Sequence, residues 1–249
     1  PALLDGAMLG ASGNRYSYLT ADPFLVIRSR GRQITFGHDG ICDEVEDDPW
    51  SVLQGFLRRY RTAQIPGLPS FQGVALGYLG YDLGKHLERL PSLAYDDIQV
   101  PEMYLGLYDW ALAYDSDTNL SYLFSTGLPN GTLEHAEARA KVIMDRLERE
   151  PLVARPSEFN VPASLKSNFT VSGYESAVGR VKEYLAAGDS YQVNLSQRFQ
   201  APFEGDPWSL YLKLRELNPA PFAAYLSFPE LSVLSVSPEE FLNLEQGRV

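Results

Sequence analysis

Polar and apolar side chains alternate between Tyr191 and Phe199, and the polar members could do chemistry. They are Gln192, Asn194, Ser196 and Arg198. Successive strand residues face opposite sides of a sheet, so this spacing predicts a strand with two amides, a hydroxyl and a guanidinium on one face. Such a row suits the carboxylate or hydroxyl groups of a substrate. A solvated sheet face has the same pattern, and the spacing alone does not choose between the two.

Glu239 is the second candidate for chemistry. It follows the apolar run 231–236, so we expect it at the end of a buried strand, where pockets tend to open. Its side chain would then be partly desolvated, and Glu240 would point elsewhere. A carboxylate in that position can act as a general acid or base if burial raises its pKa. Turn formation alone also explains the Ser237-Pro-Glu sequence, so both interpretations stay open.

The remaining pattern is poor in generic catalytic motifs. The sequence has no phosphate-binding GxxxxGK[ST], no GxSxG and no HExxH. His38, His86 and His135 lie far apart, which is typical of surface or turn histidines. The single cysteine, Cys42, excludes an intrachain disulfide and a thiolate metal cluster.

Composition narrows the class of protein. The 249 residues are 45% hydrophobic and 21% charged, as expected for a soluble globular chain of one or two domains. A net charge of −11 argues against binding to nucleic acid or to a membrane surface. No apolar stretch has the length of a membrane span. Because lone cysteines suit a reducing compartment, we expect a cytoplasmic protein.

The elements that must position these residues follow a mixed order, which predicts an α+β fold with mostly antiparallel strands. A strand is expected over 104–114 and a glycine-rich buried one over 73–81. Helices are expected from Asp48-Pro49, over 132–149, from a capping box at Ser172 and Glu175 to Gly188, and from Asp206-Pro207.

The chain divides by pattern into three regions. We expect an N-terminal sheet-and-helix region over 1–150, a proline-containing linker over 151–166, and a second region over 167–249. The chain begins without Met, and its last residues read as a hairpin that turns at Gln246-Gly247 and has barely begun to return. We therefore expect a fragment of a longer protein.

An ordered series of segments resembles the chorismate-utilising enzymes, and within that family the members that form aminodeoxychorismate. The segments are 73–84 (GVALGYLGYDLG), 108–111 (YDWA), 167–170 (SNFT), 187–199 (AGDSYQVNLSQRF), 218–222 (NPAPF) and 237–239 (SPE). Such a fold has two antiparallel β-sheets sandwiched by helices, and the C-terminal part would be missing here. The implied reaction is the conversion of chorismate and ammonia to 4-amino-4-deoxychorismate, on the way to p-aminobenzoate and folate.

The resemblance also implies roles for residues, a cofactor and a partner. Glu239 corresponds to the family's active-site glutamate, which assists proton transfer at the departing C4 hydroxyl. Ammonia would come from a glutamine amidotransferase subunit, and Mg²⁺ would hold the substrate carboxylate. The family's covalent lysine and its magnesium ligands would lie beyond Val249, so no metal ligand is assigned in this chain. The fragment alone is expected to be inactive.

Two alternatives accompany this interpretation. The anthranilate-forming members share fold and substrate, but they more often have an apolar residue at the position of Asn194. A tryptophan-binding regulatory module is the alternative of another class. The family's tryptophan pocket corresponds here to Leu4, Asp5, Arg15, Pro219, Pro221 and Phe222. Gly6 replaces the usual serine of that pocket, so a hydroxyl that would bind the ligand is lost.

Overall fold

A computed structural model describes residues 1–6, 15–38, 41–93, 95–149, 157–161 and 164–244. In chain order the elements are β1 (Ala2–Asp5), β2 (Tyr16–Thr20), β3 (Leu25–Arg30), β4 (Gln33–His38), β5 (Ile41–Glu46), α1 (Pro49–Arg59), β6 (Val74–Leu79), a 3₁₀ helix (Tyr81–His86), β7 (Met103–Tyr108), β8 (Trp110–Asp115), β9 (Leu120–Ser125), α2 (Leu133–Glu148), β10 (Lys166–Ser167), α3 (Val171–Ala187), β11 (Phe199–Gln200), α4 (Pro207–Leu217), β12 (Phe222–Ser227) and β13 (Ser232–Ser237). None of the helices in these described ranges is long and apolar enough to cross a membrane.

The chain forms two compact units. The first comprises Pro1–Val153 and Tyr211–Val249, and the second comprises Ala154–Leu210. The sequence placed residues 1–150 and 167–249 in separate regions. In the structure, strands β12 and β13 from the later region join β1, β2, β8 and β9 in one sheet. The cause is a hydrogen-bonded ladder between β1 and β12, which no local pattern reveals.

Two antiparallel sheets build the first unit. The six-stranded sheet has the order β13-β12-β1-β2-β8-β9, and the five-stranded sheet has the order β5-β4-β3-β7-β6. The sheets pack against each other through Ala2 and Leu226 from the first, and Leu76 and Tyr108 from the second. Burial of such apolar side chains is the main favourable contribution to folding.

Helices cover the outer faces of the two sheets. Apolar side chains of α1, with Leu53 at their centre, pack on the face of the five-stranded sheet that carries Ile27 and Met103. On the six-stranded sheet, the α4 ring of Tyr211 lies 5.5 Å from that of Tyr225 in β12. This arrangement confirms the predicted α+β fold with two antiparallel sheets sandwiched by helices.

The predicted strand over 104–114 is wrong in one respect, because it is two strands. The chain leaves the five-stranded sheet after Tyr108 and enters the six-stranded sheet at Trp110. Asp109 occupies the crossing point, where its buried carboxylate pairs with Arg139 of α2 at 3.1 Å. The backbone oxygen of Asp109 also accepts a 2.8 Å hydrogen bond from the Thr126 N–H. These contacts come from segments outside the predicted strand.

Helix ends follow local chemistry, with one correction. Asp48 accepts a 2.8 Å hydrogen bond from the Ser51 N–H and Pro49 opens α1, as predicted. The capping box predicted at Ser172 is wrong, since Thr170 caps α3 by accepting from the Gly173 N–H at 3.0 Å. Gly188 ends α3 in the left-handed conformation, at φ 80°, as predicted.

The second unit contains less regular structure than its sequence predicts. The strand expected over 191–199 is wrong, because residues 191–198 form no strand and only Phe199–Gln200 pairs with Lys166–Ser167. Residues in the extended conformation count as a strand only when a neighbouring backbone pairs with them, and none of the described residues pairs with 191–198 as a strand. At the chain end, residues 241–244 form no strand, and the predicted turn at 246–247 lies outside the described residues.

Candidate functional site at one edge of the six-stranded sheet

Strand registers bring three candidate segments to one end of the six-stranded sheet. Asp5 is paired with Ala223, and Phe222 is paired with Ser237. Glu239 follows Ser237 by two residues. The Asn-Pro-Ala-Pro-Phe and Ser-Pro-Glu segments and the end of β1 therefore meet at one end of the strands, although they lie far apart in the sequence. This end of the strands is called the sheet edge below.

Arg15 lies at the same edge, one residue before β2. Tyr16 is paired with Asp115, and the Arg15 guanidinium binds the Asp115 carboxylate through two hydrogen bonds of 2.6 and 2.5 Å. Asp115 is only 1% exposed. The hydrogen bond from Arg15, with a second from the Thr118 hydroxyl, holds the pKa of Asp115 well below its usual range. Arg15 is thus engaged in a bidentate ion pair in this structure.

Asp5 is the centre of a buried polar network at this edge. Its carboxylate, 7% exposed, pairs with Arg215 Nε at 2.5 Å and accepts a 3.0 Å hydrogen bond from the Tyr211 hydroxyl. Ser17 Oγ donates to the other carboxylate oxygen at 3.5 Å and itself accepts from the Gly6 N–H at 2.9 Å. Burial, together with the neighbouring Asp5 charge, raises the pKa of Tyr211 well above its usual range.

Sequence reasoning missed Tyr211 and Arg215. Both lie in α4, four positions apart, so they share one helix face. A polar pair at that spacing within an otherwise apolar stripe is the signal that could have found them. The contact with Asp5 itself depends on where α4 packs.

The other residues of the predicted tryptophan pocket are either exposed or half-buried. Leu4 is 37% exposed and, by strand alternation, faces the opposite side of the sheet from Asp5. The register with Ala224 places Leu4 on the same face as Phe222, which is half-buried. Pro219 is exposed and Pro221 half-buried. The structure thus places all six residues near one edge, with Asp5 on the α4 side and Leu4 and Phe222 on the side of the other sheet.

Glu239 departs from expectation in its burial. It follows β13 as predicted, but its side chain is exposed, as is that of Glu240. A local turn holds it there, because Ser237 Oγ donates to the Glu239 carbonyl oxygen at 3.0 Å and accepts from its N–H at 3.4 Å. The expected partial desolvation is therefore wrong for the described chain.

The four polar candidates of 191–199 lie in the second unit, and all are exposed. Because no strand forms there, they do not share a sheet face. Gln192 Nε2 donates to Asn194 Oδ1 at 3.4 Å, and the Arg198 N–H donates to Asn168 Oδ1 at 2.8 Å. Ser196 is also exposed. Within the described ranges, no group of three or more His, Cys, Asp or Glu residues is placed to hold a metal ion.

Comparison with known proteins assigns the family. A family model described as "chorismate binding enzyme" matches residues 8–249. The chain therefore belongs to the chorismate-binding enzyme family, and the resemblance of the quoted segments is confirmed.

Individual relatives refine this assignment. The chain is 39% identical to aminodeoxychorismate synthase component 1 of Salmonella typhimurium, covering 99% of this chain and 53% of that protein. It is 32% identical to anthranilate synthase component 1 of Acetivibrio thermocellus, covering 99% and 52%. Anthranilate synthase component I from Streptococcus pneumoniae TIGR4 has the same fold, with a TM-score of 0.77 at 22% identity over 96% of this chain and 54% of that one. The chain thus spans about half the length of the relatives that it matches.

Proposed function

We propose that the protein takes part in the amination of chorismate by ammonia to 4-amino-4-deoxychorismate. The observation that carries this proposal is the 39% identity to an aminodeoxychorismate synthase component 1 across 99% of the chain. Three aminodeoxychorismate synthases are 34–39% identical, and the anthranilate synthases compared are 32% identical. A fourth aminodeoxychorismate synthase, from Bacillus subtilis, is 30% identical. Asn194 supports the same choice, since by the sequence resemblance the anthranilate-forming members more often have an apolar residue at that position.

The sheet edge supports a role for this chain in forming one wall of the active site. Strand β13 ends at Ser237, and the turn that follows projects Glu239 from the edge. A carboxylate at that place can give a proton to a departing hydroxyl if substrate and neighbouring protein exclude water from it. Glu239 is therefore the proposed general acid or base, acting at the C4 hydroxyl of chorismate.

Two further parts of the proposal rest on the family resemblance. A glutamine amidotransferase subunit would supply ammonia, and Mg²⁺ would bind the substrate carboxylate. By the same resemblance its ligands would lie beyond Val249, and the described residues include no group of three or more His, Cys, Asp or Glu side chains placed to hold the ion. No step is assigned to it.

A product assay with the natural protein tests the proposed reaction. Chorismate and ammonium chloride are supplied with magnesium, and the products are separated by chromatography after addition of a lyase that converts aminodeoxychorismate to p-aminobenzoate. We expect p-aminobenzoate, dependent on both the protein and the lyase. Anthranilate as the main product would move the protein to the other branch of the family. Glutamine-dependent activity without an added amidotransferase would contradict the proposed partner.

A further inference from the structure

An open groove runs along β9, the outermost strand of the six-stranded sheet on the side away from β13. It consists of two adjoining cavities of about 540 and 690 Å³, which share Arg61, Thr62, Ala63 and Gln72 in their linings. Four consecutive residues, 123–126, line the first cavity. Because successive side chains of a strand point to opposite faces, four in a row indicate that the groove meets the outer backbone of β9 rather than one face of the sheet.

The outer backbone of β9 has unpaired hydrogen-bonding groups. The Thr126 N–H donates to the Asp109 carbonyl oxygen at 2.8 Å, so Thr126 and every second residue before it direct their backbone groups toward β8. The N–H and C=O groups of Leu123 and Ser125 therefore point outward. Within the described ranges, no residue hydrogen-bonds to these four groups. An extended chain that lies in the groove can pair with them as an added strand.

The sequence of β9 leaves this side of the sheet unprotected. Outermost strands usually carry charged residues or proline, which prevent pairing with another chain. The β9 sequence, LSYLFS, contains neither. By contrast β5, an outermost strand of the five-stranded sheet, carries Asp43, Glu44 and Glu46. An unprotected outer strand beside a formed groove favours strand addition by a partner.

The other wall of the groove is held in shape before any partner binds. This wall is the segment 61–65, which follows α1. The buried Gln72 amide accepts a 2.9 Å hydrogen bond from the Ile65 N–H and donates to the Ile65 and Pro69 carbonyl oxygens at 3.0 and 3.1 Å. Ile65 itself is 57% exposed and lines the groove. A preformed wall with an exposed apolar side chain lowers the entropic cost of binding an extended chain.

Arg61 gives the groove a positive charge. Its side chain is exposed, and it forms no ion pair with the described residues. No acidic side chain of the described residues lines either cavity. The protein as a whole has a net charge of −11, so an unpaired arginine in this groove is a local exception that favours a carboxylate partner.

We propose that β9 and this groove bind an extended acidic segment of a partner protein. The segment adds a strand beside β9, and one of its carboxylates pairs with Arg61. Main-chain hydrogen bonds supply affinity in such complexes, and side-chain contacts supply specificity. A second copy of this chain is a poorer occupant, because each copy carries a net charge of −11. The groove is apart from the sheet edge, which β9 reaches at Leu120, the partner of Asp115, and binding there does not depend on the proposed amination.

A short peptide of alternating valine and glutamate, with blocked ends and a fluorescent label, is the probe. Fluorescence anisotropy with the natural protein is the measurement. We expect saturable binding, weakened by about tenfold or more in Arg61→Gln through loss of a charge-assisted hydrogen bond. The same peptide with lysine in place of glutamate should bind at least about tenfold more weakly. Methylation of the peptide's backbone nitrogens keeps its charge but removes its donors, and should abolish binding.

Arg58→Gln is the matched control, since Arg58 is exposed, lies three residues before Arg61 and lines neither cavity. We expect its affinity for the peptide to equal that of the wild type. Leu123→Pro removes an outward donor from β9 and should abolish binding while leaving Arg61 in place. Circular dichroism shows whether this variant folds, and the methylated peptide tests the same contact on the wild-type protein if it does not. Absence of saturable binding, or equal affinity for the glutamate, lysine and methylated peptides, would overturn the proposal.

Discussion

The hydroxyl of Tyr211 donates a 3.0 Å hydrogen bond to Asp5 Oδ2, joining two residues that are 206 positions apart in the sequence. Tyr211 is fully buried, and Asp5 is nearly so. The bond ties the first strand of the chain to helix α4, and Arg215 of the same helix neutralises the carboxylate. One face of α4 is thus specified by a polar contact as well as by apolar packing.

Tyr211→Phe should destabilise the protein by about 1–3 kcal/mol, because it leaves a buried carboxylate oxygen without one of its donors. The free energy of unfolding, measured by urea denaturation, checks this. Tyr114→Phe is the control, as it removes an exposed hydrogen bond to Asn119 and should cost about 0.5 kcal/mol or less. Equal losses in the two variants would show that burial of the Asp5 network contributes nothing.

The ion pair of Asp115 should make the stability of the protein depend on pH in the acid range. The pKa of Asp115 is lowered in the folded state, so its contribution is fully present above its ordinary pKa and is lost as pH falls from about 4 towards the folded value. We expect the wild type to lose stability more steeply over this range than Asp115→Asn, which should already be less stable at neutral pH. Thermal unfolding at a series of pH values measures both.

Asp117→Asn is the control for that experiment. Asp117 also contacts Arg15, at 3.4 Å, but its side chain is 68% exposed. Removing the Asp117 charge should therefore leave the loss of stability at acid pH nearly unchanged. A wild-type curve parallel to that of Asp115→Asn below pH 4 would contradict the proposed role of Asp115.

Ser29 carries a buried hydroxyl that has no hydrogen-bond partner among the described residues. It lies 2% exposed on the face of β3 that also carries Ile27. Ser29→Ala should therefore be neutral or stabilising by about 1 kcal/mol, since an unsatisfied polar group no longer has to be buried. Ser209→Ala is the contrast, because that buried hydroxyl donates to Asp206 at 2.9 Å, and its loss should destabilise the protein. Differential scanning calorimetry should show a melting temperature that is unchanged or raised in Ser29→Ala and lowered in Ser209→Ala. A large fall in the melting temperature of Ser29→Ala would refute the prediction.

Two glycines should respond oppositely to alanine. A Cβ on Gly77 would approach the Tyr104 carbonyl oxygen in the neighbouring strand to within 2.0 Å, so Gly77→Ala must displace backbone and should destabilise strongly. Gly55 lies within α1, and a Cβ there meets nothing within 4 Å, so Gly55→Ala should stabilise by about 0.5–1 kcal/mol. Chemical denaturation distinguishes them, and equal tolerance at both sites would contradict the close approach of β6 and β7.

Glu239→Gln tests the proposed general acid or base in the natural enzyme. It keeps shape and hydrogen-bonding capacity but removes proton transfer, so the rate of amination should fall by about 10²–10⁴-fold. Glu240→Gln changes an exposed neighbour in the same way and should have little effect. Ammonium as the nitrogen source excludes effects on a partner subunit. Unchanged activity in Glu239→Gln would remove its catalytic role, and equal losses in both variants would assign the effect to the turn.

Local interactions explain what the sequence determined by itself. The cap at Asp48, the left-handed Gly188 and the hairpin around Pro229-Glu230 each depend on contacts within a few residues, and all three are confirmed. The family was also readable from the ordered segments, as was the α+β class from the mixed order of elements.

Long-range contacts decided the rest. The segment 191–198 has the alternation of a strand, but a strand also needs a paired neighbour, and alternation cannot supply one. The move from one sheet to the other at Asp109 depends on Arg139 of a later helix. The sheet edge that gathers Asp5, Phe222 and Glu239 arises from strand register, which is fixed by pairing energies summed across the whole sheet rather than by any one segment.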